Sequence, residues 1–91
     1  MGAGSTAAQK RMPAMCINTI KGPSRNEAIV LIEGMNYTFN IARNGNVGIS
    51  VVPDSYSTNH AIGRWGVEHA FKVLEEAAAL VFKNYGPNYR P

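Results

Sequence analysis

The stretch HAIGRWGVEHAFKVLEEAAALVFKN, residues 60 to 84, decides the fold class because its apolar residues recur at helical spacing. At about 100° per residue they cover roughly 200° of the circumference, whereas a surface helix usually has an apolar stripe of about 100°. The apolar positions are Ile62, Val67, Ala70, Phe71, Val73, Leu74, Ala77, Ala78, Leu80, Val81, Phe82 and the following Tyr85. We therefore predict one long helix whose excess apolar surface is covered by a partner, most simply a second copy.

Capping residues set the limits of this predicted helix. It should begin within Ser57-Thr58-Asn59, because all three residue types are good N-caps. It should stop at Gly86-Pro87, where a glycine that tolerates positive φ is followed by a residue that cannot continue the helix. Gly63 and Gly66 weaken its first turns and would let another backbone come close.

Four strand-like stretches bounded by turn residues precede the helix. Asn44-Gly45 predicts a tight hairpin, since a type I′ turn needs positive φ at both central positions. Gly34-Met35 and residues 22 to 26 predict two further reversals. The predicted strands are Met15 to Lys21, Glu27 to Glu33, Asn36 to Arg43 and Asn46 to Pro53. The sequence thus predicts an α+β fold, a four-stranded antiparallel meander followed by one long C-terminal helix packed on one face, ββββα, and dimeric.

Alternation assigns the faces of this sheet. The side under the helix should hold Tyr37, Phe39 and Ile41 of strand three and Val47, Ile49 and Val51 of strand four. The opposite side of these strands offers Asn36, Thr38, Asn40, Gly48 and Ser50. Strand two is apolar on both sides over residues 28 to 32, so it is either central in the sheet or covered by a partner.

Length and charge indicate how the chain is organised. Its 91 residues predict one α+β domain over residues 14 to 85, with a disordered N-terminal arm at 1 to 13 and a C-terminal tail at 86 to 91. Residues 1 to 25 carry a charge of +4 and the remainder carries −1. The chain has neither an apolar run of membrane-spanning length nor the apolar core of a signal peptide. We therefore expect a cytoplasmic protein that makes no membrane contact.

The pattern of reactive residues does not indicate catalysis. His60 and His69 lie about 180° apart around the predicted helix, so they cannot chelate one ion from one chain. Cys16 has no base that the sequence places beside it. The segment from Asp54 to His60 contains the residue types of a hydrolytic triad, but a turn and a helix cap need the same types. We predict a chain that is not an enzyme and holds no metal or cofactor.

Protein binding is the first function that these patterns favour. The chain would be a small non-catalytic protein-binding module, for instance a phage or mobile-element regulator or inhibitor acting on a larger host protein or nucleoprotein complex. Tryptophan, tyrosine and arginine are the anchors that interfaces use most. The predicted partner-binding residues are Arg64, Trp65, Tyr89 and Arg90, and the predicted homodimer interface contains Ile62, Gly66, His69, Val73 and Leu80. Trp65 either stands in the polar stripe of the helix or is turned onto the core by its neighbouring glycines.

Nucleic-acid binding is the alternative function. The predicted order of four strands and a long helix resembles the topology of the PC4-type single-stranded DNA-binding domains, which implies an oligonucleotide partner. The solvent face of strands three and four lacks the aromatic side chains on which unpaired bases stack. Binding would therefore depend on phosphate contacts with little sequence preference. The residues predicted to make these contacts are Lys10, Arg11, Lys21, Arg25 and Arg43.

Overall fold

A computed structural model describes residues 12–21, 26–43 and 48–85, which form one antiparallel sheet and two helices. The elements are β1 (Met15–Lys21), β2 (Glu27–Ile32), β3 (Met35–Arg43), β4 (Ile49–Pro53), α1 (Ser55–Trp65) and α2 (Val67–Tyr85). The strand order is β1-β2-β3-β4, so every strand pairs with its neighbour in the chain. The predicted α+β class and the four-stranded antiparallel meander are confirmed.

The reversal between β2 and β3 lies one residue earlier than the sequence predicted. Glu33 and Gly34 both have positive φ, 46° and 84°, as the two central residues of a type I′ turn require. Ile32 pairs with Met35 across this turn. β2 therefore ends at Ile32 rather than Glu33, and β3 begins at Met35 rather than Asn36.

Several predicted segments lie outside the residues that the structure describes. They are residues 1 to 11 of the arm, the reversal at 22 to 25, the Asn44-Gly45 hairpin with Asn46 and Val47, and the tail at 86 to 91. Pro13, the C-terminal residue of the predicted arm, is buried. The carbonyl of Ala14 accepts a 3.1 Å hydrogen bond from the N–H of Glu33, so chain contacts begin just before β1.

The helices cover one face of the sheet. The core contains Ala28, Val30 and Ile32 of β2, Tyr37, Phe39 and Ile41 of β3, and Ala61, Ala70, Val73, Leu74, Ala77 and Val81 of the helices. This confirms the face assigned to β3, and Ile49 and Val51 of β4 pack against the same core. β2 is central in the sheet, which explains its double-sided apolar pattern: Ile29 and Leu31 are half-buried on the other face.

β1 keeps its apolar side chains on the core face of the sheet only because its pairing with β2 contains an irregularity. Its register with β2 shifts between Ile17 and Thr19. An extra residue at such a point moves the following side chains to the opposite face. Ile17 and Ile20 consequently both pack against the core, although three positions separate them.

The prediction of one continuous helix over residues 60 to 84 is wrong, because the helix is broken at Gly66. Gly66 has φ 84° and ψ 159°, a backbone conformation that is essentially limited to glycine. Its N–H donates to the carbonyl of Ile62 and its carbonyl accepts from the N–H of Ala70, both at 2.8 Å. These bonds close α1 and start α2, and the two helices pack against each other. Within the described residues, neither helix has the length and hydropathy needed to cross a membrane.

The predicted helix start within Ser57-Thr58-Asn59 is also wrong, because Asp54 is the N-cap. One carboxylate oxygen of Asp54 accepts a 2.8 Å hydrogen bond from the N–H of Ser57, and its carbonyl accepts from the N–H and the hydroxyl of Thr58. Ser57 is buried instead of serving as a cap. Its Oγ accepts a 2.8 Å hydrogen bond from the N–H of Thr38, which joins α1 to β3.

We expect Asp54→Ala to lower the free energy of unfolding by about 1 kcal/mol, because the cap acceptor for the Ser57 N–H is lost. Ser55→Ala is the matched control, since Ser55 is exposed at the first helical position. Urea unfolding followed by circular dichroism measures both variants. Equal losses in the two variants would contradict the assignment of Asp54 as the cap.

Candidate functional site

One side of α1 carries a group of aromatic and polar side chains that reaches down to β3. Tyr56, His60 and Arg64 follow one another at four-residue spacing, so they lie on one face of the helix. Trp65 is the last residue of α1, and Tyr37 enters the group from β3. We call these five residues the α1 cluster.

Tyr37 is the buried centre of the α1 cluster. Its hydroxyl lies 2.8 Å from Nδ1 of His60 and accepts a 3.2 Å hydrogen bond from Nη1 of Arg64. A guanidinium can only donate, so the Tyr37 hydroxyl accepts from Arg64 and its own proton is available to donate to Nδ1 of His60. This arrangement fits the His60 tautomer that carries its proton on Nε2. The outer ring nitrogen is then a hydrogen-bond donor.

Arg64 is held by several partners at once. Nη1 donates to the carbonyl of Ile32 at 3.3 Å, and Nη2 donates to the carbonyl of Glu33 at 3.1 Å and lies 3.7 Å from its carboxylate. The guanidinium carbon is 4.9 Å from the centroid of the Trp65 ring, which is a cation–π geometry. Arg64 therefore ties α1 to the β2–β3 turn and has a fixed orientation.

Trp65 is turned onto the core, the second of the two placements that the sequence left open. The indole is half-buried, packs against the core and lies 5.8 Å from the Tyr37 ring, measured between centroids. The helix break responsible is at Gly66, directly after the tryptophan, while Gly63 stays inside α1. The Trp65 ring thus packs against the Arg64 guanidinium, and part of the indole remains exposed to solvent.

Tyr56 is the residue of this cluster that the sequence analysis missed. It is 77% exposed, and its ring centroid lies 6.3 Å from that of His60. The signal was present in the four-residue spacing of Tyr56, His60 and Arg64. It could not be used because the predicted helix begins within Ser57-Thr58-Asn59, which leaves Tyr56 before the helix and outside its faces.

The predicted homodimer residues do not form one exposed patch. Val73 has no exposed surface and lies in the core of its own chain. Ile62 and Leu80 are half-buried against that core, and Gly66 is exposed at the helix break. His69 is half-buried, and its Nε2 has no hydrogen-bond partner in the described part of the chain. Ile62, Val73 and Leu80 thus lie on the part of the apolar arc that packs inside this chain, and a role of the five residues between copies stays a prediction.

A second surface lies on the outer side of α2. Val67, Phe71 and Phe82 keep 58%, 53% and 49% of their surfaces exposed. Together with the half-buried Ala78 they form what we call the α2 face. An open groove of about 510 Å³ separates this face from β4 and is lined by Val51, Val52, Pro53, Thr58, Phe71, Leu74, Glu75 and Ala78.

The described residues do not carry the positive charge of the chain. They include all six acidic residues but five of the nine lysines and arginines, which leaves them one net negative charge. Of the predicted phosphate-binding residues, Lys10, Arg11 and Arg25 lie outside the described ranges, whereas Lys21 ends β1 and Arg43 ends β3. The predicted partner-binding residues Tyr89 and Arg90 lie outside as well.

The uncovered face of the sheet is polar where β1 and β3 carry asparagines and apolar along β2. Asn18 donates a 3.0 Å hydrogen bond to the side chain of Asn36, and Ile29 and Leu31 are half-buried on this face. All aromatic side chains with described surroundings lie in the core, in the α1 cluster or on the α2 face. The described part of the chain also contains no group of three or more histidine, cysteine or acidic side chains placed to hold a metal.

Comparison of the chain with protein-family models, with curated proteins and with solved structures finds no match. The features of the described residues that bear on function are the α1 cluster, the α2 face and the distribution of charge.

Proposed function

We propose that the chain is a non-catalytic protein-binding module that contacts its partner through the α1 cluster, with Tyr56, Arg64 and Trp65 as anchors. The observation that carries this proposal is an exposed tyrosine on the same helix face as an arginine whose orientation is fixed by the buried Tyr37 hydroxyl and two backbone carbonyls. Tyrosine, tryptophan and arginine are enriched among the residues that dominate binding energy.

Preorganisation is the physical reason why this surface suits binding. Immobilising a flexible side chain at an interface costs about 0.5 to 1.5 kcal/mol. Arg64 is already held by three hydrogen-bond acceptors and by the Trp65 ring, so little of that cost remains. Tyr56 presents a rigid ring with two side-chain torsions, which also limits the entropy lost on contact.

The chemistry of the α1 cluster constrains the partner. Nε2–H of His60 and the free N–H groups of Arg64 are donors, and the Tyr56 hydroxyl can also donate. A matching surface offers an apolar centre for the tyrosine ring surrounded by carbonyl or carboxylate acceptors. Such a surface is typical of a folded protein or a bound peptide.

Nucleic-acid binding has weaker support in the described residues. Their net negative charge repels phosphate, and the uncovered sheet face supplies no aromatic platform there for unpaired bases. The alternative stays a prediction that depends on Lys10, Arg11, Lys21, Arg25 and Arg43.

We expect Tyr56→Ala to weaken binding of the partner about tenfold or more, because an aromatic anchor is removed. The immobilised protein, Tyr56→Ala and Asn59→Ala are each exposed to a lysate of the source cells, and retained proteins are quantified by mass spectrometry. Asn59 is the control because it is exposed on the same helix. A partner retained by the unmodified chain and by Asn59→Ala but lost from Tyr56→Ala supports the proposal.

The same three proteins are titrated with a single-stranded oligonucleotide between about 50 and 200 mM salt. Tight, salt-sensitive oligonucleotide binding that Tyr56→Ala leaves unchanged, together with equal protein retention by all three, would overturn the proposal and favour nucleic-acid binding.

A further inference from the structure

We infer that two copies of this chain form a dimer by packing their α2 faces against each other with the helices antiparallel. The inference does not depend on the proposed function, because the α1 cluster lies on a different side of the molecule. Thr58, which lines the groove beside the α2 face, is more than 100° around α1 from Tyr56, His60 and Arg64 by helical geometry.

The α2 face is the part of the apolar arc that the sheet leaves uncovered. Around α2, the buried and half-buried residues from Leu80 round to Leu74 occupy about 120° of the circumference. The α2 face continues directly from Leu74 for roughly another 80°. A contiguous exposed apolar surface on a small protein marks an interaction site.

The sizes of the side chains fit self-association in the antiparallel direction. A two-fold axis between positions 74 and 75 places Phe71 of one copy opposite Ala78 of the other, and Val67 opposite Phe82. Ala78 also lines the groove between α2 and β4, so the opposing phenylalanine has a space to enter. A parallel arrangement would instead put Phe71 against Phe71 and leave a void where two alanines meet, which costs stability.

The charges beside the α2 face pair in the same register. With a rise of about 1.5 Å per residue, Glu68 of one copy and Lys83 of the other lie within roughly 3 Å of each other along the helix axis. Lys72 and Glu75 of opposite copies lie equally close by the same measure. The two Glu75 residues lie about 1.5 Å apart along the axis and form one like-charge contact. Around the helix, Glu75 and Glu68 lie about 20° and 40° beyond Phe82, and Lys72 and Lys83 lie about 80° and 100° beyond it. Glu75 also lines the groove between α2 and β4.

These four charges are free to pair between copies. In the described part of the chain, Glu68, Lys72, Glu75 and Lys83 form no ion pair, and the pair that does form joins Arg64 to Glu33. In a parallel arrangement residues of the same number lie level, and Glu68 would be about 22 Å from Lys83 along the axis. The antiparallel register thus gives four opposite-charge contacts against the one between the two Glu75 side chains, whereas the parallel arrangement sets only like charges level. The charge order therefore favours the antiparallel dimer.

Two exposed aromatic residues provide a matched test by light scattering after size exclusion. The unmodified chain and Tyr56→Glu are expected to have twice the chain mass of 9.9 kDa at micromolar concentration. Phe71→Glu is expected to have the monomer mass. Its circular dichroism spectrum should be unchanged. A monomeric unmodified chain, or a Phe71→Glu variant that remains dimeric, would overturn the inference.

Charge reversal tests the antiparallel register separately. Glu68→Lys is expected to raise the dimer dissociation constant several-fold at low salt, because it faces Lys83 of the other copy. The double variant Glu68→Lys with Lys83→Glu should return the constant to near its original value. If the double variant dimerises more weakly than Glu68→Lys alone and Lys83→Glu alone, the helices do not pack in this register. If Tyr56→Ala no longer captures a partner but remains dimeric, partner binding and dimer formation use different surfaces.

Discussion

Val73→Asp is expected to unfold the protein and not merely to separate two copies. Val73 has no exposed surface and lies between α2 and the sheet. An aspartate there would place a carboxylate among apolar side chains without a partner, which costs several kcal/mol. A domain of this size is stable by only about 5 to 14 kcal/mol. We expect loss of the helical circular dichroism signal or a large fall in the urea midpoint.

Ala79→Asp is the control for this substitution, because Ala79 is exposed on the same helix. Its cost should stay near the difference in helix propensity, at most about 0.7 kcal/mol. A Val73→Asp protein that is folded and monomeric would contradict the structure, since that result requires Val73 to lie at an interface between copies.

Gly66→Ala is expected to lower the free energy of unfolding by about 1 to 3 kcal/mol, because the conformation at Gly66 strains any side-chain-bearing residue. A Cβ built on Gly66 meets no atom within 4 Å, so the loss would come from the backbone and not from a clash. Gly63 also has open space around a built Cβ, but it lies inside α1. Gly63→Ala should therefore stabilise the protein by about 0.4 to 1 kcal/mol.

Thermal and urea unfolding of the two alanine variants checks this pair of opposite effects. If Gly66→Ala is as stable as the unmodified chain, or more stable, then α1 and α2 can join into the continuous helix that the sequence pattern predicted. The two-helix arrangement would then not be required for the fold.

The two proposed surfaces have a joint consequence for binding. A dimer formed through the α2 faces would carry two α1 clusters, because each copy keeps its own cluster free. A partner with two matching sites would then bind with an apparent affinity above that of one cluster, as linked binding events do. The Phe71→Glu variant is expected to lose this gain while it keeps single-site binding.

Local patterns of the amino-acid sequence were sufficient for much of the fold. Strict alternation placed Tyr37, Phe39 and Ile41 on the core face, because side chains of a strand point to opposite sides in turn. The shift in β1 after Ile17 was not predicted, since the extra residue gains its place only through pairing with β2. The break at Gly66 was also missed, because apolar residues continue at helical spacing on both sides of it.

The sequence by itself determined four strands, their antiparallel order and the full width of the apolar arc on α2, because each depends on residues close together in the chain. The tertiary structure alone decided that the sheet covers Val73 and leaves Phe71, which belongs to the same arc, exposed. It also decided that Tyr37 meets His60 and Arg64, which are 23 and 27 positions away. Periodicity states which residues share a face, but what covers the face depends on how whole elements pack in space.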